Sequence, residues 1–316
     1  LITGGSRGIG KACVYEFSNN GYRVFLNYNK SIDEAEKIKN ETGVVTVKAD
    51  VSDSKQVNDM AEFIHTNYGK IDVIVNNAGI SQQKLFTDIT ENDWDRMFDV
   101  NMKSMYLVTK AFVDDMIYKQ SGKIINISSM WGVTGGSCEV HYSAAKAAVI
   151  GFTKALAKEL GPSGICVNCV APGVIETEMN SHLTKEDFDC LCEETPLERL
   201  GKPEEVAKTV RFLASENADL IIANGVRKIG DKKHPIFKNI RWHKDATTLA
   251  PYVAIGNVIA SPGQCLIRKN AVPVFWLKNI LSENCADDMY LWMLMLGEKK
   301  RIVINSEFLY THVATG

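Results

Sequence analysis

The sequence lacks the two features that would place a protein in or beyond a membrane. No apolar run reaches the length of about 20 residues that a transmembrane helix needs. The chain also does not open with the charged and then apolar stretch of a secretory leader. We therefore expect a cytoplasmic protein that does not enter membranes.

An excess of one charge is also missing. The 36 Lys and Arg residues are balanced by 38 Asp and Glu residues, which gives a formal net charge of −2, and no long run of like charges occurs. A face that binds nucleic acid needs clustered basic side chains to neutralise phosphates. Nucleic acid is therefore not an expected partner.

Disulfide and metal frameworks are not indicated either. The 8 cysteines occur without an export signal, so we expect reduced thiols. Cys166 and Cys169 have a spacing that some metal sites use, but they lie in a predicted strand, where residues three apart point to opposite faces. We predict no metal site.

What the first two thirds of the chain do have is a regular alternation of short apolar segments and helix-length segments. Ser31 and Glu34 predict a capping box at the start of one helix, and Pro203 predicts the start of another that ends near Ala214. The alternation predicts a Rossmann-type α/β fold, in which a doubly wound parallel sheet carries helices on both faces. The predicted strands are residues 23–28, 44–48, 73–76, 123–127 and 165–171.

The pattern changes after residue 215. Gly and Pro residues then interrupt irregular segments, and an apolar helix is predicted over residues 287–296. We predict a first domain over residues 1–215 and a smaller, irregular α/β segment over residues 216–316. At the other end, apolar Leu1-Ile2 stops one residue before a glycine-rich loop, whereas a strand usually has about five or six residues. We therefore expect the first strand of the sheet to be truncated.

The glycine-rich loop, Thr3-Gly-Gly-Ser-Arg-Gly-Ile-Gly10, follows this short apolar segment and opens a predicted helix. Glycines let the backbone approach a pyrophosphate, whose charge is then stabilised at the N-terminus of the helix. The loop predicts a dinucleotide site, and the alternative is an ordinary glycine-rich turn.

The residues about twenty positions beyond the loop indicate which dinucleotide would bind. An NAD enzyme usually has Asp or Glu there to bind the ribose 2′-hydroxyl, whereas this chain has Asn27-Tyr28-Asn29-Lys30. Because no carboxylate would repel a 2′-phosphate, and because Arg7 in the loop and Lys30 could bind one, we predict NADP(H). The alternative for Lys30 is a solvated loop cation.

Tyr142-Ser-Ala-Ala-Lys146 falls at the start of a predicted helix, where residues four apart share one face. An ammonium group near a phenol favours the phenolate and lowers the tyrosine pKa, which suits a proton donor. The alternative is an exposed pair on a helix surface.

Further motifs occur together with these two, in the order of one known family. They are Asp50-Val51, Asn76-Asn77-Ala78-Gly79, Asn101, Ser128-Ser129 and Pro172-Gly173-x-x-x-Thr177. With them, residues 1–215 resemble the short-chain dehydrogenase/reductase family. The resemblance implies hydride transfer from NADPH to a carbonyl carbon without a metal.

The resemblance also implies roles for the matching residues. Tyr142 would be the general acid, and Lys146 would hold the nicotinamide ribose and lower the pKa of Tyr142. Ser129 would hydrogen-bond the substrate carbonyl oxygen, with Ser128 as the alternative, and Asn101 would hold a water that links Lys146 to solvent. The implied cofactor-binding residues are Gly4, Ser6, Arg7, Gly8, Ile9, Gly10, Asn27, Asp50, Val51, Asn77, Ala78, Gly79, Tyr142, Lys146, Pro172, Gly173 and Thr177.

Two substrate classes follow from the resemblance, and both present a ketone to the same tyrosine. Residues 128–179 resemble the 3-oxoacyl-acyl-carrier-protein reductase group, and within it a branch that reduces 5-aminopentanone carried on elongation factor P. The expected partner is therefore a small-molecule or carrier-bound ketone. His141 is predicted either to touch this substrate or to pack within a loop.

The family pattern ends at Ser215. The seventh strand that the family has next is missing or replaced, and Leu220-Ile-Ile-Ala223 is the segment expected to pair at the sheet edge in its place. The family implies a homo-oligomer, an expectation that the absence of this strand weakens.

Residues 217–316 instead resemble the C-terminal part of a family 2 glycosyltransferase, through residues 261–265, 286–292 and 309–312. The resemblance makes Asp288 a base that activates an acceptor, while the alternative is that Asp287 and Asp288 cap a helix. Three interpretations stay open: an active reductase with a foreign tail, a glycosyltransferase remnant that only binds, and an inactive joined fragment.

Overall fold

The computed structural model describes residues 1–180, 184–195 and 197–215, and the backbone of four strands in the region that follows. Contacts divide the chain into two compact units, Leu1–Ala214 and Ser215–Gly316, which we describe separately.

The first unit alternates strands and helices along the chain. The strands are β1 (Phe25–Tyr28), β2 (Val45–Lys48), β3 (Val73–Asn76), β4 (Gly122–Ile127) and β5 (Ile165–Val170). The helices are α1 (Gly8–Asn19), α2 (Ile32–Thr42), α3 (Ser54–Tyr68), α4 (Glu91–Phe98), α5 (Ser104–Lys119), α6 (Trp131–Thr134), α7 (Val140–Leu160), α8 (Lys185–Glu194) and α9 (Pro203–Ala214). A π-helical turn, Asp99–Lys103, joins α4 to α5.

All strand pairs in this unit are parallel, in the order β2-β1 and β3-β4-β5. Ile2 joins the two halves, because it bridges Leu26 of β1 on one side and Val75 of β3 on the other. The predicted α/β fold with a parallel, Rossmann-type sheet is confirmed. Ile2 makes one parallel bridge on each side, at the centre of the sheet.

Successive strand residues point to opposite faces of the sheet and pack against different helices. Leu26, Val75 and Ile125 pack with the buried faces of α1, α2 and α9. Their neighbours Phe25, Ile74 and Ile124 pack with α3, α5 and the end of α7. This two-sided burial explains why the strands are apolar throughout rather than alternating.

The helix starts only partly follow the sequence signals. Helix α9 begins at Pro203, as predicted. Helix α2 begins after Ser31, but the serine side chain makes no capping bond, and Glu34 instead forms an ion pair with Lys11 at 3.4 Å. The predicted capping box is therefore wrong, because Glu34 is turned towards α1.

The described part of the second unit is a small sheet made by β6 (Leu220–Ile229), β7 (Lys232–Pro235), β8 (Cys265–Ile267) and β9 (Ile302–Val313). Strand β6 pairs in parallel with β9 and antiparallel with β7 and β8. Within this sheet, residues 220–222 pair with β8 and residues 220–223 pair with β9. The expected pairing of residues 220–223 at the edge of the first sheet stays a prediction.

The other predictions for this unit are not tested. The helix at 287–296, the motifs at 261–264 and 286–292, and Asp287 and Asp288 lie outside the described residues. Of residues 309–312 only the backbone is described, within β9.

Candidate active site

A cleft of about 680 Å³ lies over the carboxyl ends of the strands in the first unit. Loops that follow parallel strands meet at this edge, which is the usual position of a ligand site in such sheets. Every residue predicted to be catalytic or to bind the cofactor lines the cleft, with the exception of Gly10.

The glycine loop forms one wall of the cleft, and only glycine fits parts of it. Gly4 has a φ of +62° and Gly8 a φ of +50°, where other residues are strained. Helix α1 starts at Gly8, so its N-terminal NH groups face the cleft, as an anion site requires. A Cβ at Gly10 would lie 2.2 Å from the backbone oxygen of Gly4. Gly10 therefore allows α1 to pack closely beneath the loop, and it does not line the cleft.

The loop is fixed to the neighbouring Asn-Asn-Ala-Gly turn by its threonine. The Thr3 hydroxyl accepts hydrogen bonds from the backbone NH groups of Asn77 at 2.9 Å and Ala78 at 3.0 Å. In return, the Asn77 side-chain amide donates to the Thr3 backbone oxygen at 3.0 Å. The two glycine-containing turns thus hold each other in place over the sheet.

Asn27 occupies the buried end of β1, next to the position where an NAD enzyme would carry an acid. Its side-chain oxygen accepts from the Gly4 NH at 3.4 Å, and its side-chain nitrogen donates to the Ala49 oxygen at 3.0 Å. The hydrogen bonds of the Asn27 side chain therefore hold the glycine loop in place. Arg7 and Lys30 line the same end of the cleft and are exposed.

Asp50 carries a carboxylate at this end. Burial alone would raise the pKa of Asp50, but the Ser52 hydroxyl and NH and the Asn29 side chain donate hydrogen bonds that lower it below its usual range. The Arg96 guanidinium adds to this lowering. Asn29 and Arg96 line the cleft and were missed by the motif analysis.

The opposite end of the cleft contains Tyr142 and Lys146 on the first two turns of α7, 9% and 3% exposed. The Lys146 Nζ donates to the Ile127 backbone oxygen at 2.9 Å and lies 5.7 Å from the centre of the Tyr142 ring. Burial lowers the pKa of Lys146 to about 8. The alternative of an exposed helix pair is thereby excluded for these two residues.

The predicted lowering of the Tyr142 pKa by Lys146 is wrong for the structure described. Burial raises the pKa of Tyr142, the hydrogen bond with Ser129 lowers it, and the Glu139 carboxylate raises it further. Desolvation dominates because the phenolate would lose more hydration than the single hydrogen bond with Ser129 returns. Tyr142 is therefore a protonated phenol at neutral pH.

The two adjacent serines have different environments. Ser129 interacts with Tyr142 and accepts from the Trp131 NH at 3.2 Å. The Ser128 hydroxyl donates to the backbone oxygen of Lys146 at 2.8 Å. Only Ser129 therefore presents its hydroxyl next to the phenol, whereas Ser128 ties β4 to α7.

Asn101 is fully buried in the π-helical turn between α4 and α5. Its side-chain nitrogen donates to the Ile80 oxygen at 2.9 Å, and its side-chain oxygen accepts from the Ile80 NH at 3.2 Å. Single π-helical turns are frequent at functional sites because they redirect a side chain. Here the turn directs Asn101 towards the segment that follows Gly79.

His141 lies beside Tyr142 but does not line the cleft. It is fully buried, and its Nε2 is 2.9 Å from the side-chain oxygen of Gln82. Of the two predictions, packing is confirmed, although His141 lies in the first turn of α7 and not in a loop, and direct contact with the substrate is not supported. Trp131 and Glu139 do line the cleft. Their positions between Ser129 and Tyr142 were the only sequence signal for them.

Among the described residues, no helix is long and apolar enough to span a membrane. No group of three or more His, Cys, Asp or Glu side chains among them could hold a metal ion.

Comparison with known proteins gives consistent matches. The family model described as short chain dehydrogenase matches residues 1–187. A 3-oxoacyl-acyl-carrier-protein reductase of Synechocystis sp. is 42% identical over 223 residues, which cover 69% of this chain and 89% of the relative. Similar enzymes of Thermotoga maritima and Staphylococcus epidermidis are 40% identical over 227 residues and 37% identical over 235 residues. These alignments cover 70% and 73% of this chain, and 92% and 96% of the two relatives.

Proposed function

Because the chain belongs to the short-chain dehydrogenase family, whose members are oxidoreductases acting on CH–OH or C=O groups, we propose that it reduces a ketone to a secondary alcohol with NADPH. The relatives are named for reduction of 3-oxoacyl groups on acyl carrier protein, and we extend that substrate class to this protein. The observation that carries the proposal is the convergence of Tyr142, Lys146 and Ser129 at one end of a cleft whose other end has a glycine loop.

The residues present fit a nicotinamide dinucleotide. A Cβ at Gly4 would lie 3.0 Å from the Cα of Ala78, so the loop packs against the neighbouring turn with no room for a side chain. Its backbone lines the cleft, where a pyrophosphate would contact it. Asp50 would bind the adenine end and Lys146 the nicotinamide ribose. When bound, NADPH supplies the hydride.

The protein's own residues would then manage the proton. The phenol of Tyr142 stays protonated because burial raises its pKa, so it can donate its proton to the carbonyl oxygen. The Ser129 hydroxyl would donate a hydrogen bond to the same oxygen and stabilise its developing charge. Lys146 is an ammonium below pH about 8, because burial lowers its pKa to about 8.

Replacement of Tyr142 tests the proton donor. We expect Tyr142→Phe to lower ketone reduction by about a hundred- to ten-thousandfold, the usual contribution of a general acid, while NADPH binding persists. The chain offers a matched control in Tyr106 and Lys110, which have the same spacing on the surface of α5, with Tyr106 43% exposed and 3.2 Å from the Lys110 ammonium. Tyr106→Phe should leave the rate unchanged. Near-normal reduction by Tyr142→Phe would contradict the assignment.

The proposed preference for NADPH rests on Arg7 and on the absence of an acid at Asn27 and Tyr28. A charge-assisted contact is worth roughly 1.5 to 3 kcal/mol, so Arg7→Ala should reduce the ratio of NADPH to NADH efficiency by about ten- to a hundredfold. Arg23→Ala, at the amino end of β1, is the control. Equal use of both cofactors by the unmodified protein would refute the preference.

A second candidate function is reduction of 5-aminopentanone carried on elongation factor P. The observation that favours it is Glu139, whose carboxylate lines the cleft and acts electrostatically on Tyr142, because an amine-bearing ketone would bring a positive charge to that side. If this candidate is right, Glu139→Gln should impair reduction of the amino ketone and spare a 3-oxoacyl thioester. Equal effects on the two substrates would leave the acyl substrate as the better proposal.

A further inference from the structure

The segment of residues 80–84 forms part of the wall at the Tyr142 end of the cleft. Ile80, Ser81 and Gln83 line the cleft. Gln82 and Lys84 do not line it, and their side chains form polar contacts with other elements instead. One set of side chains therefore faces the ligand space while the other holds the segment in place.

The centre of the segment is held by a three-residue network. The Gln82 side-chain nitrogen donates to Asp93 Oδ1 at 3.1 Å, so the Gln82 oxygen is the acceptor for His141 at 2.9 Å. This assignment requires a hydrogen on Nε2 of His141. The network thus links α4, through Asp93, to the first turn of α7, one residue before Tyr142.

Both ends of the segment are also fixed. At one end the NH and oxygen of Ile80 bond to the side chain of Asn101. At the other end the Lys84 NH donates to the Cys138 oxygen at 2.7 Å, and the Lys84 ammonium lies 2.6 Å from Asp93. Between these two ends, Gln82 is hydrogen-bonded to His141. Because His141 is fully buried, packing determines the position of its ring.

We infer that His141 and Gln82 are positioning residues that hold residues 80–84 as a substrate-selecting wall, and that Ser81 and Gln83 on this wall determine specificity by contacting the groups attached to the ketone. The inference rests on the proposed ketone reduction. It adds that selectivity among ketones depends on the hydrogen bond between His141 and Gln82, two residues that do not line the cleft. It also separates the functions of two neighbours in sequence, since Tyr142 transfers the proton and His141 positions the wall.

Removing the bond should affect substrate binding more than chemistry. Either substitution leaves a buried polar group without its hydrogen-bond partner, and this penalty is large enough to change substrate binding by about five- to fiftyfold. We expect His141→Leu and Gln82→Met to raise the KM for a long-chain 3-oxoacyl thioester by that factor. The kcat should stay within about threefold, because Tyr142 keeps its hydrogen bond with Ser129 and stays in one apolar cluster with Met97 and Ala145. NADPH affinity should not change.

Rescue and control variants separate positioning from general damage. His141→Gln places an amide nitrogen near the former Nε2 and should recover most of the lost affinity. His65→Leu removes another paired histidine, which lies 2.9 Å from Asp115 and does not line the cleft, and should leave KM unchanged. Ser81→Ala and Gln83→Ala should change the ratio of kcat/KM between a long-chain thioester and a small 3-oxo ester.

Amide hydrogen exchange provides a readout that needs no activity. We expect faster exchange over residues 80–90 in His141→Leu and Gln82→Met, and no change there in His65→Leu or His141→Gln. Unchanged exchange and unchanged KM in Gln82→Met, the less buried of the two sites, would overturn the inference, as would an equal loss of NADPH binding. If the unmodified protein reduced no ketone while the exchange difference persisted, the proposed function would fail and the positioning network would stand.

Discussion

Substitution of alanine at two helical glycines gives the sharpest test of the packing around the cofactor loop. Gly10 lies in the first turn of α1, and Gly151 lies in the middle of α7. A Cβ at Gly10 would meet the Gly4 oxygen at 2.2 Å and the Asn77 side-chain nitrogen at 2.5 Å, whereas a Cβ at Gly151 would meet nothing within 4 Å. Both changes replace glycine by alanine within a helix, so the gain in helix propensity is similar. The difference in stability between the two variants therefore measures the effect of the close contact at Gly10.

The expected magnitudes have opposite signs. Alanine is favoured over glycine inside a helix by about 0.5 to 1 kcal/mol, so Gly151→Ala should stabilise the protein by that amount. At Gly10 the new atom would be well inside the 3.4 Å at which ordinary contacts begin, and the nearest atom belongs to the backbone and cannot rotate away. Overpacking of this kind costs about 1 to 3 kcal/mol. The displaced Gly4 carbonyl would also lose its bond from Asn77 at 3.2 Å.

Thermal melting and cofactor titration would measure both effects. For a unit of this size about 1 kcal/mol changes Tm by roughly 2 to 4 °C, so we expect Gly10→Ala to melt about 2 to 12 °C lower and Gly151→Ala about 1 to 4 °C higher. NADPH affinity, followed by its fluorescence, should fall by about ten- to a hundredfold in Gly10→Ala, because the loop shifts by more than a charge-assisted contact tolerates. If Gly10→Ala melted and bound like Gly151→Ala, the contact geometry of the loop would be wrong.

The serines and the buried lysine give the remaining predictions. Ser129→Ala should lower kcat by about a hundred- to a thousandfold. Ser128→Ala should mainly lower the free energy of unfolding, by about 1 kcal/mol, because the backbone oxygen of Lys146 loses its hydrogen bond. Equal losses of kcat in the two variants would contradict this division. The rate of reduction should fall as pH rises through about 8, because burial lowers the pKa of Lys146 to about 8, and this alkaline limb should be absent in Lys146→Arg. The pKa of Lys146 is near 8 in the folded state and 10.5 in the unfolded state, so the unfolded state binds more protons between these two pH values. The free energy of unfolding should therefore rise with pH across that window, relative to Lys146→Met. A fall in the free energy of unfolding there would refute the burial argument.

Much of the fold could be predicted from the sequence because its signals are local. Strand positions at 23–28, 44–48, 73–76, 123–127 and 165–171 match β1 to β5 within a few residues, since buried parallel strands are apolar along their whole length. The start of α9 at Pro203 is local in the same sense. The capping box at Ser31 failed because Glu34 had a partner on another helix, Lys11, which local sequence does not reveal.

The site residues were predicted by motif, and their individual roles depend on packing. Gly10 belongs to the glycine motif, but it supports the loop from beneath. Asn27 was selected because it replaces an acid, and its side chain is used to hold the Gly4 NH and the Ala49 oxygen. The network through Gln82 and Asp93 had no motif at all, because its members are brought together only by the folded chain.

The sequence by itself determined the order of strands and helices, the glycine loop that fits a dinucleotide, and the spacing of Tyr142 and Lys146. These features depend on backbone freedom, periodicity and residue type, which are properties of short segments. Only the tertiary structure decided which of Ser128 and Ser129 faces the phenol, that His141 is buried, and that the pKa of Tyr142 is raised. The physical reason is that side-chain direction and desolvation are set by atoms far away in sequence, which come into contact only when the sheet and its two helix layers pack together.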